Sequence, residues 1–213
     1  MKKDLTGLRQ DYAAATFDES LAHPDPFIQF GHWFDQALDS QVPEPNAMAL
    51  STVDSLGKPR SRVVLLKGLD EGGFVFFTNY QSQKGRELDA NPFASLVFLW
   101  LELQRQVRVE GRVKKISVAE SNAYFSSRPR ESQLGALASA QSKVIPNRQY
   151  LEDRFLFLEK EYEGKEIYRP ESWGGYRLIP EQIEFWQGRQ SRLHDRLLYQ
   201  KSDQNWVIKR LAP

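Results

Sequence analysis

Residues 94–114 read ASLVFLWLELQRQVRVEGRVK, and the two halves of this stretch decide the fold. The first half, ASLVFLWL, is a continuous apolar run, the pattern of a strand covered on both sides, as in a small closed barrel or a packed interface. In the second half Val107, Val109 and Val113 fall on one face and Gln106, Arg108, Glu110 and Arg112 on the other. That two-residue period belongs to a half-buried strand.

Working outward, the β reading holds from Ala47 to Ser117. AMALSTVD and SRVVLLKGLD flank a Gly-Lys-Pro turn and read as an antiparallel pair. Glu71-Gly72-Gly73 then turns into FVFFTN, and a short polar helix precedes ASLVFLWL. Upstream, Asp25 can cap a helix whose first residue is Pro26, with Phe27, Phe30, Phe34 and Leu38 at helical spacing. Val42-Pro43-Glu44-Pro45 ends it, and residues 1–24, which have no sustained period, read as a mobile arm.

Downstream, Ser117-Val-Ala-Glu120 is a capping box that opens a helix towards Ser127. Further helices are expected at 131–141 and 147–162, the last with Leu151, Phe155, Leu158 and Tyr162 on one face. GYRLIP, QIEFWQ, RLLYQ and WVIKRL return to strands. Strands, then helices, then strands argue for an α+β fold that is mainly β. With no repeat and no convincing linker, a single domain over 1–213 is expected.

Composition narrows the chemistry. A formal net charge of +1 gives no global field towards nucleic acid or an anionic membrane. The absence of cysteine rules out disulfides, thiolate metal sites and a thiol nucleophile. His23, His32 and His194 are far apart and lack metal-ligand spacing, so no metal is expected. No apolar run approaches the roughly 18 residues of a membrane span, and the start has no signal-peptide core. A soluble, cytoplasmic protein without membrane or nucleic-acid partners is the expectation. Dinucleotide, P-loop, GxSxG and HExxH motifs are all missing.

Cationic residues at strand ends and helix starts remain. Arg62 and Lys67 bracket a very apolar strand, either as its solvated ends or as an anion site. Five residues apart, they would point to opposite faces of a regular strand, so a bulge or a ligand wrapping past the strand end is required. Phe77-Thr78-Asn79 leads into Ser82-Gln83-Lys84, a helix start suited to phosphate or a plain turn and cap. Tyr124 and Arg128, four apart on a last helical turn, face Ser132 near the next helix start; they could hold a second anion or form a cation–π pair. The densest segment runs from Glu184 to Arg196. If extended, it puts Arg192, His194 and Arg196 on one side, where an anion or carboxylates would compensate their charge.

These segments carry a resemblance. RVVLLK, FFTN, SLVFLW, RQVRVEG, YFSSRPRESQLGA, SWGGYR, EFWQG, RLHDR and WVIKRLAP run in order from about Leu8 to Pro213 and resemble the pyridoxine/pyridoxamine 5′-phosphate oxidase family. The resemblance implies a split β-barrel, a Greek-key-like antiparallel barrel with flanking helices, binding FMN at a homodimer interface. It implies FMN contacts by the Arg62-Val63-Val64-Leu65-Leu66-Lys67 strand, Phe77, Thr78, Gln83, Lys84, Gln106, Gln141, Ser142, Trp186 and Arg196. Substrate contacts fall to Lys67, Tyr124, Arg128, Ser132, Arg192 and His194, with Arg9 and Tyr12 closing from the arm. Arg192 and His194 are the implied catalytic pair.

Two positions depart from the family pattern: Phe77 stands where tyrosine is usual, and Gln83 where an arginine often helps hold the FMN phosphate. The implied reaction converts pyridoxine or pyridoxamine 5′-phosphate and O₂ to pyridoxal 5′-phosphate and H₂O₂, within vitamin B6 biosynthesis or salvage. Alternatives are a split-barrel flavin oxidase acting on another ring, such as a phenazine precursor, and a non-catalytic binder of pyridoxal phosphate or FMN.

Overall fold

The computed structural model describes residues 12, 15–70 and 72–213; Arg9 lies outside them. In chain order the elements are α1 (Pro26–Asp39), β1 (Ala47–Val53), β2 (Pro59–Leu65), β3 (Gly68–Asp70), β4 (Gly73–Asn79), α2 (Gln83–Ala90), β5 (Phe93–Trp100), β6 (Arg105–Lys115), α3 (Val118–Ser127), α4 (Arg130–Ala138), α5 (Arg148–Glu161), β7 (Trp173–Gln187), β8 (Asp195–Ser202) and β9 (Asn205–Arg210). The strand order is β2-β1-β5-β6-β7-β4-β3, with β8 paired to β7 and β9 to β8. The chain forms two compact units: one takes the described residues up to Ala49 with Ser95–Glu110 and Pro180–Pro213, the other Leu50–Ala94 and Gly111–Ile179.

In the first unit, the Asp25 side chain accepts from Phe27 N at 2.7 Å and Pro26 opens α1, as the sequence anticipates. The buried face runs through Gln29, Phe30, Trp33 and Ala37. Leu38, expected on that face, is 52% exposed. Trp33 and Ala37 lie three and seven residues after Phe30, the true helical stripe, whereas Leu38 falls past its edge. Phe30 meets Phe98 edge-on at 4.9 Å, and Trp33 meets Phe185 at 5.2 Å. Phe17 is buried against Trp33, and its N–H donates to Asp195 Oδ2 at 3.1 Å, so the chain is held to this unit from Phe17 onward.

In the second unit, Phe125, Leu134, Ala138, Leu158, Ile167 and Trp173 form one core, with Leu151, Phe155 and Tyr162 packed against it. The capping box at Ser117 and Glu120 is complete, and α3 ends at Ser127, before Arg128-Pro129. Strand β4 pairs antiparallel with β7 from Phe74↔Leu178 to Asn79↔Trp173.

Two expectations need correction. GYRLIP and QIEFWQ are one continuous strand, the 15-residue β7. Pro180 does not break it because pairing with β4 ends at Leu178 and pairing with β8 begins at Gln182. Its missing donor therefore falls in the gap between two partners. The second correction removes the conflict between Arg62 and Lys67: β2 stops at Leu65, and Lys67 N donates instead to Val75 O at 2.8 Å.

Candidate active site

In the second unit, a cleft of about 540 Å³ is lined by Arg62, Val63, Val64, Leu65, Lys67, Phe77, Thr78, Lys84, Tyr124, Arg128, Gln141, Ser142 and Trp173. It continues the strand end and helix start that the sequence singles out. Ser82 caps α2, its side chain accepting from Gly85 N, and Lys84 of the first turn of that helix lines the cleft.

Lys84 is the most telling residue of the cleft. Its side chain is only 9% exposed, yet its partners are neutral: Thr78 Oγ1 at 3.3 Å and Gln141 Oε1 at 3.4 Å. Burial, then the charge of Arg62, holds its pKa below the ordinary lysine value. A buried ammonium without a carboxylate bonded to it is costly, and an anionic ligand would remove that cost. Gln141 Oε1 also accepts from Thr78 Oγ1 at 3.0 Å, so Thr78, Lys84 and Gln141 are already positioned together.

Arg62 is different. Its guanidinium donates to Leu50 O at 3.3 Å, to Thr52 Oγ1 at 2.5 Å and to Glu87 Oε2 at 2.8 Å. Glu87 is 5% exposed. Burial alone would raise its pKa, but hydrogen bonds from Thr52, Arg62 and Gln83, with the charge of Arg62, bring it below the ordinary value. Arg62 is thus braced by an internal carboxylate that the sequence reading did not include.

At Tyr124, a ring ladder forms. Phe77 stacks on Tyr124 at 3.8 Å and on Trp173 at 5.4 Å. Arg128 lies over Trp173 at 4.7 Å, so its cation–π partner is Trp173 and not the expected Tyr124. The anion reading survives beside it, because Arg128 Nη1 is buried and has no hydrogen-bond partner among the described residues. Burial lowers the Arg128 pKa and raises that of Tyr124, which keeps the phenol a neutral donor.

In the first unit, Trp186, His194 and Tyr12 cluster: His194 lies 4.5 Å from the Trp186 ring and 5.6 Å from that of Tyr12. Arg189 N donates to His194 Nδ1 at 3.1 Å, so the neutral imidazole carries its proton on Nε2. Burial, then the charges of Arg192 and Arg196, holds the His194 pKa below its ordinary value. Arg196 Nε donates to the buried Glu184 at 2.7 Å, and Arg108 binds the other oxygen of that carboxylate at 2.8 Å. The expected extended alternation fails at Arg192, which lies in a 3₁₀ turn at Gln190–Arg192 with φ of 60°. Strand geometry begins only at Asp195, so Arg192 is exposed and outside the register of Arg196.

Of the expected residues, Leu66 is buried in the core, and neither it nor Ser132, in the first turn of α4, lines the cleft. Gln83 lines a smaller adjoining cleft with Arg60, Ser61, Arg62, Lys84 and Ser142. Gln106 lies on β6 in the first unit. Sequence reasoning missed Trp173, Arg60 and Glu87. Trp173 could have been found as the aromatic directly before Gly174-Gly175, and Arg60 as the cation two residues before Arg62 on the same strand face. Among the described residues no group of acidic, histidine or cysteine side chains is placed to hold a metal ion, and no helix is long and apolar enough to cross a membrane.

Comparison with known proteins gives consistent matches. The family model described as pyridoxamine 5′-phosphate oxidase matches residues 34–157. A second, described as the pyridoxine 5′-phosphate oxidase C-terminal dimerisation region, matches 173–213. The chain is 58% identical over 211 residues to the pyridoxine/pyridoxamine 5′-phosphate oxidase of Paraburkholderia phytofirmans, covering 98% of this chain and 99% of that one. It is 54% identical to the protein of the same name from Acaryochloris marina, covering 98% and 95%. Among solved structures, PhzG of Burkholderia lata bound to tetrahydrophenazine-1-carboxylic acid superposes with a TM-score of 0.88 at 31% identity, covering 93% of this chain and 98% of that one. A Nostoc punctiforme FMN-binding protein related to pyridoxamine 5′-phosphate oxidase superposes at 0.70 with 19% identity, covering 90% and 100%, and shares the fold. The α+β, mainly β split barrel is therefore the fold of this chain.

Proposed function

The chain belongs to the pyridoxamine 5′-phosphate oxidase family, and from that premise we propose that it oxidises pyridoxamine and pyridoxine 5′-phosphates to pyridoxal 5′-phosphate with FMN as cofactor. One observation carries the reading: a single cleft holds two polar groups left short of partners, Lys84 Nζ and Arg128 Nη1, as two phosphate-bearing ligands would require. When bound, FMN would supply the redox chemistry, a two-electron oxidation at substrate C4′ with O₂ as the final acceptor and H₂O₂ as its product.

The chain's own residues bind and orient. Lys84, Thr78, Gln141, Ser142, Gln83 and the Arg62–Lys67 segment hold the flavin, and Gln106, Trp186 and Arg196 are assigned to it by the family likeness alone. Lys67, Tyr124, Arg128 and Ser132 take the substrate phosphate, a remote anchor that fixes C4′. Arg192 and the Nε2–H of His194 position the ring and stabilise charge at the reacting face, with Tyr12 beside His194, and Arg9 is assigned to the substrate by the family likeness alone. Pyridoxine 5′-phosphate gives the aldehyde directly; the amine gives an imine that water hydrolyses with release of ammonia. The match to a dimerisation region supports a homodimer, and we read the enzyme as a cytoplasmic participant in vitamin B6 supply.

The test is direct. The purified protein is titrated with FMN, given pyridoxine 5′-phosphate in air, and followed for aldehyde and peroxide. A protein that binds no FMN, or that binds it and turns over neither B6 phosphate, would sink the proposal. Turnover of a dihydrophenazine carboxylate in preference to either phosphate would favour the alternative ring oxidase.

A further inference from the structure

The smaller cleft in the second unit raises a question of charge. Arg60, Ser61, Arg62, Gln83, Lys84 and Ser142 line a space of about 430 Å³. Its cations are not equivalent. Arg62 is spent on Glu87, Thr52 and the Leu50 carbonyl, and it acts as a brace for the strand. Gln83, on the first turn of α2, is neutral. If Arg62 is set against Glu87, Lys84 alone would face a phosphate monoester that carries about 1.5 to 2 negative charges near neutral pH.

Arg60 makes up the difference. It lies two residues before Arg62 on β2, hence on the same strand face. Its Nε pairs with Glu87 Oε1 at 3.2 Å, its Nη2 reaches Asp54 Oδ2 only at 3.4 Å, and its Nη1 has no hydrogen-bond partner among the described residues. Three cations, Arg60, Arg62 and Lys84, then stand against two carboxylates, Glu87 buried behind them and Asp54 beside Arg60. The surplus is positive, the sign a phosphate needs, and the 3.4 Å contact to Asp54 is the longer of the two ion pairs of Arg60.

We infer that Arg60 is a phosphate-selecting residue of the flavin site, supplying from β2 a guanidinium that the neutral Gln83 on α2 does not. The inference rests on the proposed FMN site and assigns a role within it. Arg60 reads the phosphate and not the ring, so it separates FMN from riboflavin. Lys84 is the buried end of the same anion site, and Glu87 sets the orientation of both arginines.

The experiment measures dissociation constants of FMN and of riboflavin by flavin fluorescence quenching, for the wild type, Arg60→Gln and Arg60→Lys. The wild type is expected to bind FMN more tightly than riboflavin. Arg60→Gln should weaken FMN about tenfold, the size of a lost charge-assisted hydrogen bond, and leave riboflavin within about twofold. Arg60→Lys, which keeps the charge without the fork, should lie between. An unchanged FMN constant in Arg60→Gln overturns the inference. Equal weakening of both flavins overturns it too, because that is the signature of a structural brace. A wild type that binds neither flavin overturns the proposed function itself, and the inference falls with it.

Discussion

Arg128 and His194 allow sharp predictions because each has one defined capacity to donate a hydrogen bond. Arg128 is stacked over Trp173 and keeps a buried Nη1 without a partner. Removing it should cost a charged hydrogen bond to substrate phosphate, so Arg128→Ala should raise KM about ten- to a hundredfold. FMN affinity should stay close to wild type; an equal loss of FMN binding would move Arg128 to the cofactor. His194 predicts a pH dependence. Its pKa is held below the ordinary 6.5 by burial and by the charges of Arg192 and Arg196. The sign follows: with the folded value depressed, the neutral Nε2–H form persists below 6.5, and its contribution to stability, complete above 6.5, is lost as pH falls through the folded value. A plot of kcat/KM against pH should show an acid limb with its midpoint below 6.5, and His194→Asn should abolish that limb. The same limb in the variant would assign it to another group.

At the scale of elements, α2 is the one most tightly tied to the chemistry, because its first turn carries Lys84. A Cβ on Gly85 would sit 2.0 Å from the carbonyl oxygen of Tyr80, a backbone atom that cannot step aside. Helix propensity alone says that Gly85→Ala should stabilise. The clash says the reverse and wins, so urea unfolding should show a loss of roughly 1–3 kcal/mol. FMN titration should show weaker binding as Lys84 shifts with the turn; an Ala variant of wild-type stability would refute the close approach. The elements also show what sequence can and cannot reveal. The Ser117–Glu120 capping box and the valine alternation of β6 were legible because both are local patterns. The continuity of β7 through Pro180 was not, since it depends on which strands lie alongside on each side of that residue. For the same reason Arg62 read simply as a free cation. Its partner Glu87 lies 25 residues away, and no spacing rule connects the two. Arg192 failed differently: its left-handed backbone breaks the alternation on which the reading relied.

For the whole molecule, the decisive strand is again β5, whose continuous apolar run implied cover on both sides. Within one chain only one side is covered: Ala94, Leu96, Phe98 and Trp100 are buried, whereas Leu99 on the opposite face is 56% exposed. A strand at the middle of a sheet that leaves leucine open to water calls for another surface against it. The match of 173–213 to a dimerisation region makes a second copy of the chain the natural occupant. Light scattering after size exclusion should therefore report twice the chain mass for the wild type. Placing a charge at the centre of such a contact would bury it unpaired, a penalty of several kcal/mol. Leu99→Lys should accordingly move the protein towards monomer at micromolar concentration, with circular dichroism unchanged. A wild-type monomer would remove the homodimer from the proposed function. A Leu99→Lys dimer of undiminished stability would leave the homodimer standing and place its interface on another face, so the two outcomes separate the assembly from the surface that makes it.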